Sequence, residues 1–232
     1  VQQLSKTFNR KLIFSNVTFN LKESGSLIIG GKNGSGKSTL LKILIGVLTQ
    51  SKGAIAISVH GKAVKREEQF KYCGFVSPYL QMYDEFTALE NLHFVKKIRG
   101  VQASDEFILS LLERVNLSAA KNQLVRTYSS GMKQRLKYAF GLLHQPPILM
   151  LDEPTANLDS EGKATVHAIV EEQKQKGILI VATNEPDEIK WGDTIINLDE
   201  FKNSKSNAIQ PTLPSLVRVE SARLPGRDAK DE

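Results

Sequence analysis

Residues 31–38 read Gly-Lys-Asn-Gly-Ser-Gly-Lys-Ser, and this stretch decides the fold. It fits the pattern G-x-x-x-x-G-K-[ST], in which glycines let the backbone wrap so that successive N–H groups point at phosphate oxygens. The apolar run Ser26–Ile29 precedes it, and a helical pattern with leucines on one face runs from Lys37 to Leu48. Strand, loop and helix in this order predict a phosphate-binding loop rather than a plain glycine-rich turn.

The loop predicts an ATP site with magnesium. Lys37 adds a full positive charge at the β- and γ-phosphates, and Ser38 offers a hydroxyl to Mg²⁺. The start of a helix adds partial positive charge at the same place. Nucleotide contacts are predicted for Gly31, Asn33, Gly34, Ser35, Gly36, Lys37, Ser38 and Thr39.

A second apolar run, Ile148–Leu151, ends in two adjacent carboxylates, Asp152 and Glu153. Open α/β sheets bind their ligands at the carboxyl ends of their strands, where these side chains are expected to lie. Asp152 is predicted to hold Mg²⁺ through water, and Glu153 to polarise the attacking water. Four apolar residues before two acids are a weak signal alone, but a strong one beside a phosphate-binding loop.

The remaining patterns predict an α/β fold. Apolar runs that read as further strands alternate with helical patterns, which implies a parallel sheet with crossover helices. These runs are Tyr72–Val76, Ile178–Ala182 and Thr194–Leu198, and Ala54–Ile57 reads as a return strand. Short strands fill residues 1–30, and an antiparallel β subdomain is expected at the N-terminus beside the parallel sheet. The helix that starts near Ser160 is expected to end at Gly177 in a left-handed cap.

Between Thr87 and Gln145 only helical patterns occur, beginning with the capping box Thr87-Ala88-Leu89-Glu90. This predicts a helical subdomain inserted at about residues 84–145 of an ATPase domain that covers residues 1–202. Residues 203–232 are polar and carry three prolines, so a loosely ordered tail is predicted there.

The composition is that of an ordinary globular protein, with 232 residues, 41% of them hydrophobic. The net charge is +6, but no dense cationic run appears, so nucleic-acid binding is not expected. The longest apolar stretches, 40–48 and 178–182, are shorter than the ~20 residues that cross a bilayer. No signal-peptide pattern is seen. Work at a membrane would therefore require a spanning partner on another chain.

Three further segments point to one family. Residues 128–134, Tyr-Ser-Ser-Gly-Met-Lys-Gln, are similar to a signature usually written L-S-G-G-Q, of which Ser129 and Gly131 are kept. Residues 152–155 followed by 157–159 match that family's acidic strand end and the loop after it. Over about residues 4–200 the chain resembles the nucleotide-binding subunit of ABC (ATP-binding cassette) transporters.

The resemblance implies a head-to-tail dimer, homo- or heteromeric, with two ATP molecules sandwiched between cassettes. In it, Ser129, Ser130 and Gly131 of one cassette, with Asp159, face the nucleotide on the loop of the other. Phe8 matches the aromatic residue that stacks on adenine, the alternative being a core phenylalanine. A transmembrane permease on a separate chain is implied, with the cassette cytoplasmic and peripheral on the inner face of the membrane.

Two departures from the family occur where the γ-phosphate is sensed. Pro78 stands where the family has a glutamine, and Gln81 is expected to replace it at Mg²⁺ if the loop shifts. Asn184 stands where the family has a histidine; its amide can hydrogen-bond the γ-phosphate but cannot carry a proton. Slower turnover is therefore expected.

The short helical subdomain and the segment 87–92 resemble cassettes of exporters, nearest to haem-exporter and drug- or antibiotic-exporter subunits. Pro78–Phe86 is the expected docking surface for the permease. Two alternatives stay open: a non-transport ABC ATPase that acts on ribosomes or DNA, and a catalytically weak cassette because of Pro78 and Asn184.

Overall fold

The computed structural model describes residues 1–22 and 24–202; the predicted tail, residues 203–232, lies outside the described residues. The strands are β1 (Gln2–Phe8), β2 (Lys11–Val17), β3 (Ser26–Gly30), β4 (Lys52–Ala54), β5 (Ser58–Val59), β6 (Lys62–Ala63), β7 (Cys73–Val76), β8 (Ile148–Asp152), β9 (Ile178–Ala182) and β10 (Thr194–Asn197). The α-helices are α1 (Lys37–Leu44), α2 (Ala88–Arg99), α3 (Asp105–Arg114), α4 (Ser130–Leu142), α5 (Ser160–Lys176) and α6 (Pro186–Ile189).

The core is a five-stranded sheet in the order β10-β3-β9-β8-β7, and every pairing in it is parallel. Its central strands are apolar along their whole length because both faces are covered. In β3, for example, Leu27 and Ile29 join the core on one face, and Ile28 joins the core on the other. The α/β prediction is confirmed.

Two different layers cover the sheet. Helix α1 and a separate antiparallel sheet, in the order β2-β1-β4, share a core with one face. The helices α2 to α5 share a core with the other face. The antiparallel N-terminal subdomain and the helical elements between β7 and β8 were both predicted.

The start of α2 has the geometry that its sequence predicts. The Thr87 hydroxyl accepts from the Glu90 amide at 3.1 Å, and the Glu90 carboxylate accepts from the Thr87 amide at 2.8 Å. This capping box satisfies two backbone donors that the helix itself leaves free. Among the described residues, no helix is both long and apolar enough to span a lipid bilayer.

Three local predictions were wrong. Helix α1 ends at Leu44, not Leu48, because Gly46 turns the chain with φ 83°. The return strand is Lys52–Ala54, which pairs with β1, rather than Ala54–Ile57. Gly177 is extended (φ −171°) rather than left-handed. Glycine is needed there for space, since an added Cβ would lie 2.2 Å from the carbonyl oxygen of Pro147.

Candidate functional site

The loop between β3 and α1 has backbone angles that favour glycine. Gly31, Gly34 and Gly36 have φ of 132°, 77° and 108°. A Cβ on Gly36 would lie 2.5 Å from a methyl group of Ile13, so the loop also packs too closely for a side chain at that position. Because α1 begins at Lys37, its first backbone N–H groups have no acceptor within the helix. The loop therefore presents free donors to an anion.

Lys37 turns back over this loop. Its ammonium donates to the Gly31 carbonyl at 2.7 Å and to Asn184 Oδ1 at 3.1 Å. Only 5% of the residue is exposed. Burial lowers the pKa of Lys37, whereas the nearby charges of Glu153 and Asp152 raise it. A cation surrounded by carbonyls and carboxylates can exchange these partners for phosphate oxygens.

Ser38 and Asp152 meet across the sheet edge. The Ser38 hydroxyl donates to Asp152 Oδ1 at 3.0 Å, and Asp152 Oδ2 is buried with no hydrogen-bond partner within the described part of the chain. Burial raises the pKa of Asp152, against the hydrogen bond from Ser38. A hydroxyl beside a carboxylate with a spare oxygen is a hard-oxygen donor set, which fits Mg²⁺.

Glu153 follows the last residue of β8 and has φ 47°, a left-handed conformation that is unusual for glutamate. Its amide donates to the Ala182 carbonyl at the end of β9 at 2.8 Å. The residue is exposed and lines a cleft of about 310 Å³ together with Asn33 and Asn184. The carboxylate is therefore open to water beside Lys37.

Asn184 links the two halves of the site. Its Oδ1 accepts from Lys37, and its Nδ2 donates to Asn33 Oδ1 at 2.7 Å. The ends of β3, β8 and β9 thus bring together the predicted residues Asn33, Lys37, Ser38, Asp152, Glu153 and Asn184. Ser35, in the same loop, is buried, and its hydroxyl has no partner among residues 1–22 and 24–202.

The signature-like segment lies elsewhere. Ser129 caps α4, with its hydroxyl accepting from the Met132 amide at 3.2 Å, and a Cβ on Gly131 would lie 3.7 Å from the Asn157 carbonyl. Asp159 caps α5 by accepting from the Gly162 amide at 2.8 Å. In the described chain no hydrogen bond joins Ser129, Ser130 or Gly131 to residues 31–39. Within the described chain these residues are therefore not hydrogen-bonded to the loop.

Three further predicted positions, Phe8, Pro78 and Gln81, are each at least partly exposed to solvent. Phe8 is 42% exposed with the Lys6 ammonium 4.3 Å from its ring centre, which rules out the alternative of a core phenylalanine. Gln81 is exposed and makes no hydrogen bond to any described residue. The Pro78 carbonyl accepts from the buried Lys137 on α4 at 2.5 Å. The main chain at 78 is thus held by α4.

Two acidic residues near the site were missed from sequence. Asp199, just after β10, accepts from the backbone amide of Lys32 at 2.7 Å. Glu188, in α6, accepts from Thr155 beside Glu153. Each follows a parallel strand at its carboxyl end, and that position was the one available signal for them.

Known proteins resemble the whole cassette. The family model described as ABC transporter matches residues 14–156. The chain is 34% identical over 185 residues to the uncharacterized ABC transporter ATP-binding protein YybJ of Bacillus subtilis, covering 79% of this chain and 84% of YybJ. It is 34% identical over 184 residues to the lantibiotic transport ATP-binding protein SrtF of Streptococcus pyogenes, covering 79% and 78%. A dimeric ATP-binding cassette solved in a post-hydrolysis state with ADP and Pi matches with TM-score 0.71 and 28% identity, covering 84% of this chain and 92% of that one.

The family match includes the loop 31–38, the signature-like segment and the carboxylates at 152–153. Asn184 lies beyond the matched residues. The solved cassette shares the fold, and each comparison covers more than two thirds of this chain and of the relative. The chain therefore belongs to the ABC transporter family, as one of its ATP-binding cassettes.

Proposed function

We propose that this chain binds MgATP at the loop 31–38 and hydrolyses it to power a transporter of the exporter type. The observation that carries the proposal is that three kinds of side-chain group lie together at one edge of the sheet. The Lys37 ammonium lies within Coulombic range of Glu153, and Ser38 is hydrogen-bonded to Asp152. Positive charge for phosphates, oxygen ligands for a cation and an exposed carboxylate for water are the parts that phosphoryl transfer requires.

Each side chain has a distinct task. Lys37 and the loop amides neutralise phosphate charge, and Asn184 and Asn33 flank the γ-phosphate position. Ser38 and Asp152 would hold Mg²⁺, which when bound neutralises charge on the β- and γ-phosphates. Glu153 accepts a proton from the attacking water. Phe8 is proposed to stack on adenine, and Gln81 to reach the cation if its loop moves.

A second cassette completes the site in this proposal. Ser129, Ser130 and Gly131 begin α4, and the first amides of a helix suit a phosphate. They are not joined to their own loop, so they are available to the nucleotide on a partner cassette. The dimeric ADP- and Pi-bound cassette supports this arrangement for a relative.

The permease is proposed to dock on Pro78–Phe86. Tyr79 and Tyr83 are 76% and 52% exposed there, and Tyr83 packs edge-on against Phe94 at 4.8 Å. Exposed aromatic side chains are typical of binding surfaces. Lys133 and Lys137 tie the same loop to α4, through Asp84 at 2.9 Å and the Pro78 carbonyl. In this proposal the same contacts would connect docking to the signature-like segment, and the chain would lie at the inner face of the membrane.

The alternative of a non-transport ATPase has less support. The two named relatives are both called transporter or transport ATP-binding proteins. The proposal is tested by affinity purification of the chain from membranes with MgATP present. We expect MgATP-dependent phosphate release and a co-purifying chain with several apolar segments of about 20 residues. Co-purification with ribosomes or DNA would contradict the transport role.

Replacing Asn184 with His is expected to raise kcat by about 10-fold or more, because acid–base groups typically contribute ~10²–10⁴. An imidazole can carry a proton at the γ-phosphate, whereas the Asn184 amide cannot. Steady-state phosphate release at saturating MgATP measures the effect. Asn184→Ala, which removes the bonds to Lys37 and Asn33, serves as the matched loss variant. A lower kcat in the His variant would count against the weak-catalysis account.

A further inference from the structure

Glu188 is a buried carboxylate for which the proposed reaction has no direct use. It lies in α6, four residues beyond Asn184, and is 2% exposed. Its Oε1 accepts twice from one residue, from the Thr155 amide at 3.0 Å and from the Thr155 hydroxyl at 2.5 Å. Its Oε2 is buried and finds no partner among the residues described. Burying a carboxylate is unfavourable, so the burial of Glu188 needs an explanation, and its two bonds to Thr155 indicate where to look for one.

Thr155 belongs to the short segment that directly follows Glu153. This segment is also held by Tyr138 on α4, whose hydroxyl donates to the Pro154 carbonyl at 2.6 Å. Tyr138 is fully buried, and burial raises its pKa, so the hydroxyl stays a donor. The chain after Glu153 is thus held by side chains of both α6 and α4.

The backbone of Glu153 depends on such support. Its φ of 47° is unfavourable for a residue with a Cβ, and such conformations persist where the surroundings over-determine them. The Glu153 amide donates to the Ala182 carbonyl, and the Glu153 carbonyl accepts from the Ala156 amide at 3.2 Å. Thr155 lies inside that turn. A shift of Thr155 would therefore redirect the Glu153 side chain.

We propose that Glu188 is a positioning residue, which holds Thr155 and thereby aims the Glu153 carboxylate at the attacking water. This inference rests on the proposed role of Glu153 as the base. It also ties Glu153 to Asn184, because α6 begins two residues after Asn184. The base and the γ-phosphate contact are then set by one short helix.

Hydrogen bonding can be separated from charge by two substitutions. Glu188→Ala removes both bonds, whereas Glu188→Gln keeps an oxygen that can accept both and removes the charge. We expect Glu188→Ala to lower kcat by about 10–100-fold, since misplacing a reacting group by ~1 Å costs up to ~10². The KM for ATP and the Kd for ATP should stay within about twofold, because no phosphate contact changes. Glu188→Gln should recover most of the kcat.

Thr155 supplies the second half of the test. Thr155→Val removes the hydroxyl bond at nearly constant volume and should also lower kcat without changing the KM. Thr155→Ser keeps the hydroxyl donor and should keep kcat. The double variant Glu188→Ala/Thr155→Val should be no worse than Glu188→Ala, because both changes break one connection. Asp187→Ala is the matched control on the same helix, since Asp187 is exposed and pairs with Lys190. The ATP Kd, measured on the same samples, reports that each variant is folded.

The failures are distinguishable. If Glu188→Ala keeps the wild-type kcat while Glu153→Gln abolishes turnover, the positioning role is wrong and the proposed function stands. If Glu188→Gln is as slow as Glu188→Ala, charge rather than hydrogen bonding matters, and the inference is overturned. If Glu153→Gln turns over normally, the base itself has been misassigned.

Discussion

Glu153→Gln is expected to lower kcat by about 10²–10⁴-fold while leaving ATP affinity intact, because an amide cannot take the proton of the attacking water. Glu153 is exposed just after β8, and the groups proposed to contact the phosphates are others, namely the loop amides and Lys37. ATP should therefore bind without being consumed. The proposed ATP sandwich would then accumulate as a dimer. Phosphate release measures turnover, and light scattering after gel filtration in MgATP measures the dimer.

Glu171→Gln is the control for this substitution. Glu171 lies on the exposed side of α5, and among residues 1–22 and 24–202 it pairs only with Lys174, at 3.6 Å, so the same chemical change should alter kcat little. Unchanged turnover in Glu153→Gln would remove Glu153 from the mechanism. Lost turnover with a sample that stays monomeric in MgATP would keep the base but contradict the sandwich for this chain in isolation.

Lys37→Met is expected to weaken MgATP binding by at least about 10-fold, since a hydrogen bond to a charged group contributes ~1.5–3 kcal/mol and 1.4 kcal/mol is a factor of ten. Turnover should fall further, by about 10²–10³-fold, because charge that develops in transfer loses its partner. Methionine keeps the length of the side chain and its packing against the loop. Titration with a fluorescent ATP analogue and phosphate release give the two numbers.

Lys62→Met removes the same charge at an exposed position in the β5–β6 hairpin and should change neither number appreciably. Lys37 also holds the Gly31 carbonyl, so thermal unfolding without nucleotide is recorded for both variants. If the Lys37 variant binds MgATP as tightly as the wild-type chain, the loop 31–38 is not the phosphate site. The proposed function would fail with it.

Much of the site was predictable because its chemistry lies in short, contiguous segments. The loop 31–38 and the pair Asp152–Glu153 can each be identified from their residue types and from the apolar run that precedes them. Parallel strands end at one edge of a sheet, so their meeting followed from topology alone. The capping box at Thr87 was equally local, and it forms as predicted.

The contacts that join distant segments were not predictable. Glu188 and Thr155 are 33 positions apart, and Asp199 and Lys32 are 167 apart. No spacing rule connects such pairs, because their meeting depends on the strand order β10-β3-β9-β8. The same limit applies to the hydrogen bonds by which Asn184 accepts from Lys37 and donates to Asn33.

Gly177 shows the boundary between the two kinds of information. A glycine after a helix predicts a left-handed cap, which is a local preference. In the folded chain Gly177 is extended and leaves room for the Pro147 carbonyl. This contact joins the residue after α5 to the residue before β8. The α/β class, the phosphate loop and the acidic strand end could be predicted from the sequence, since these depend on neighbouring residues. Only the tertiary structure decided which distant side chains hold them, since that depends on how the strands are ordered in space.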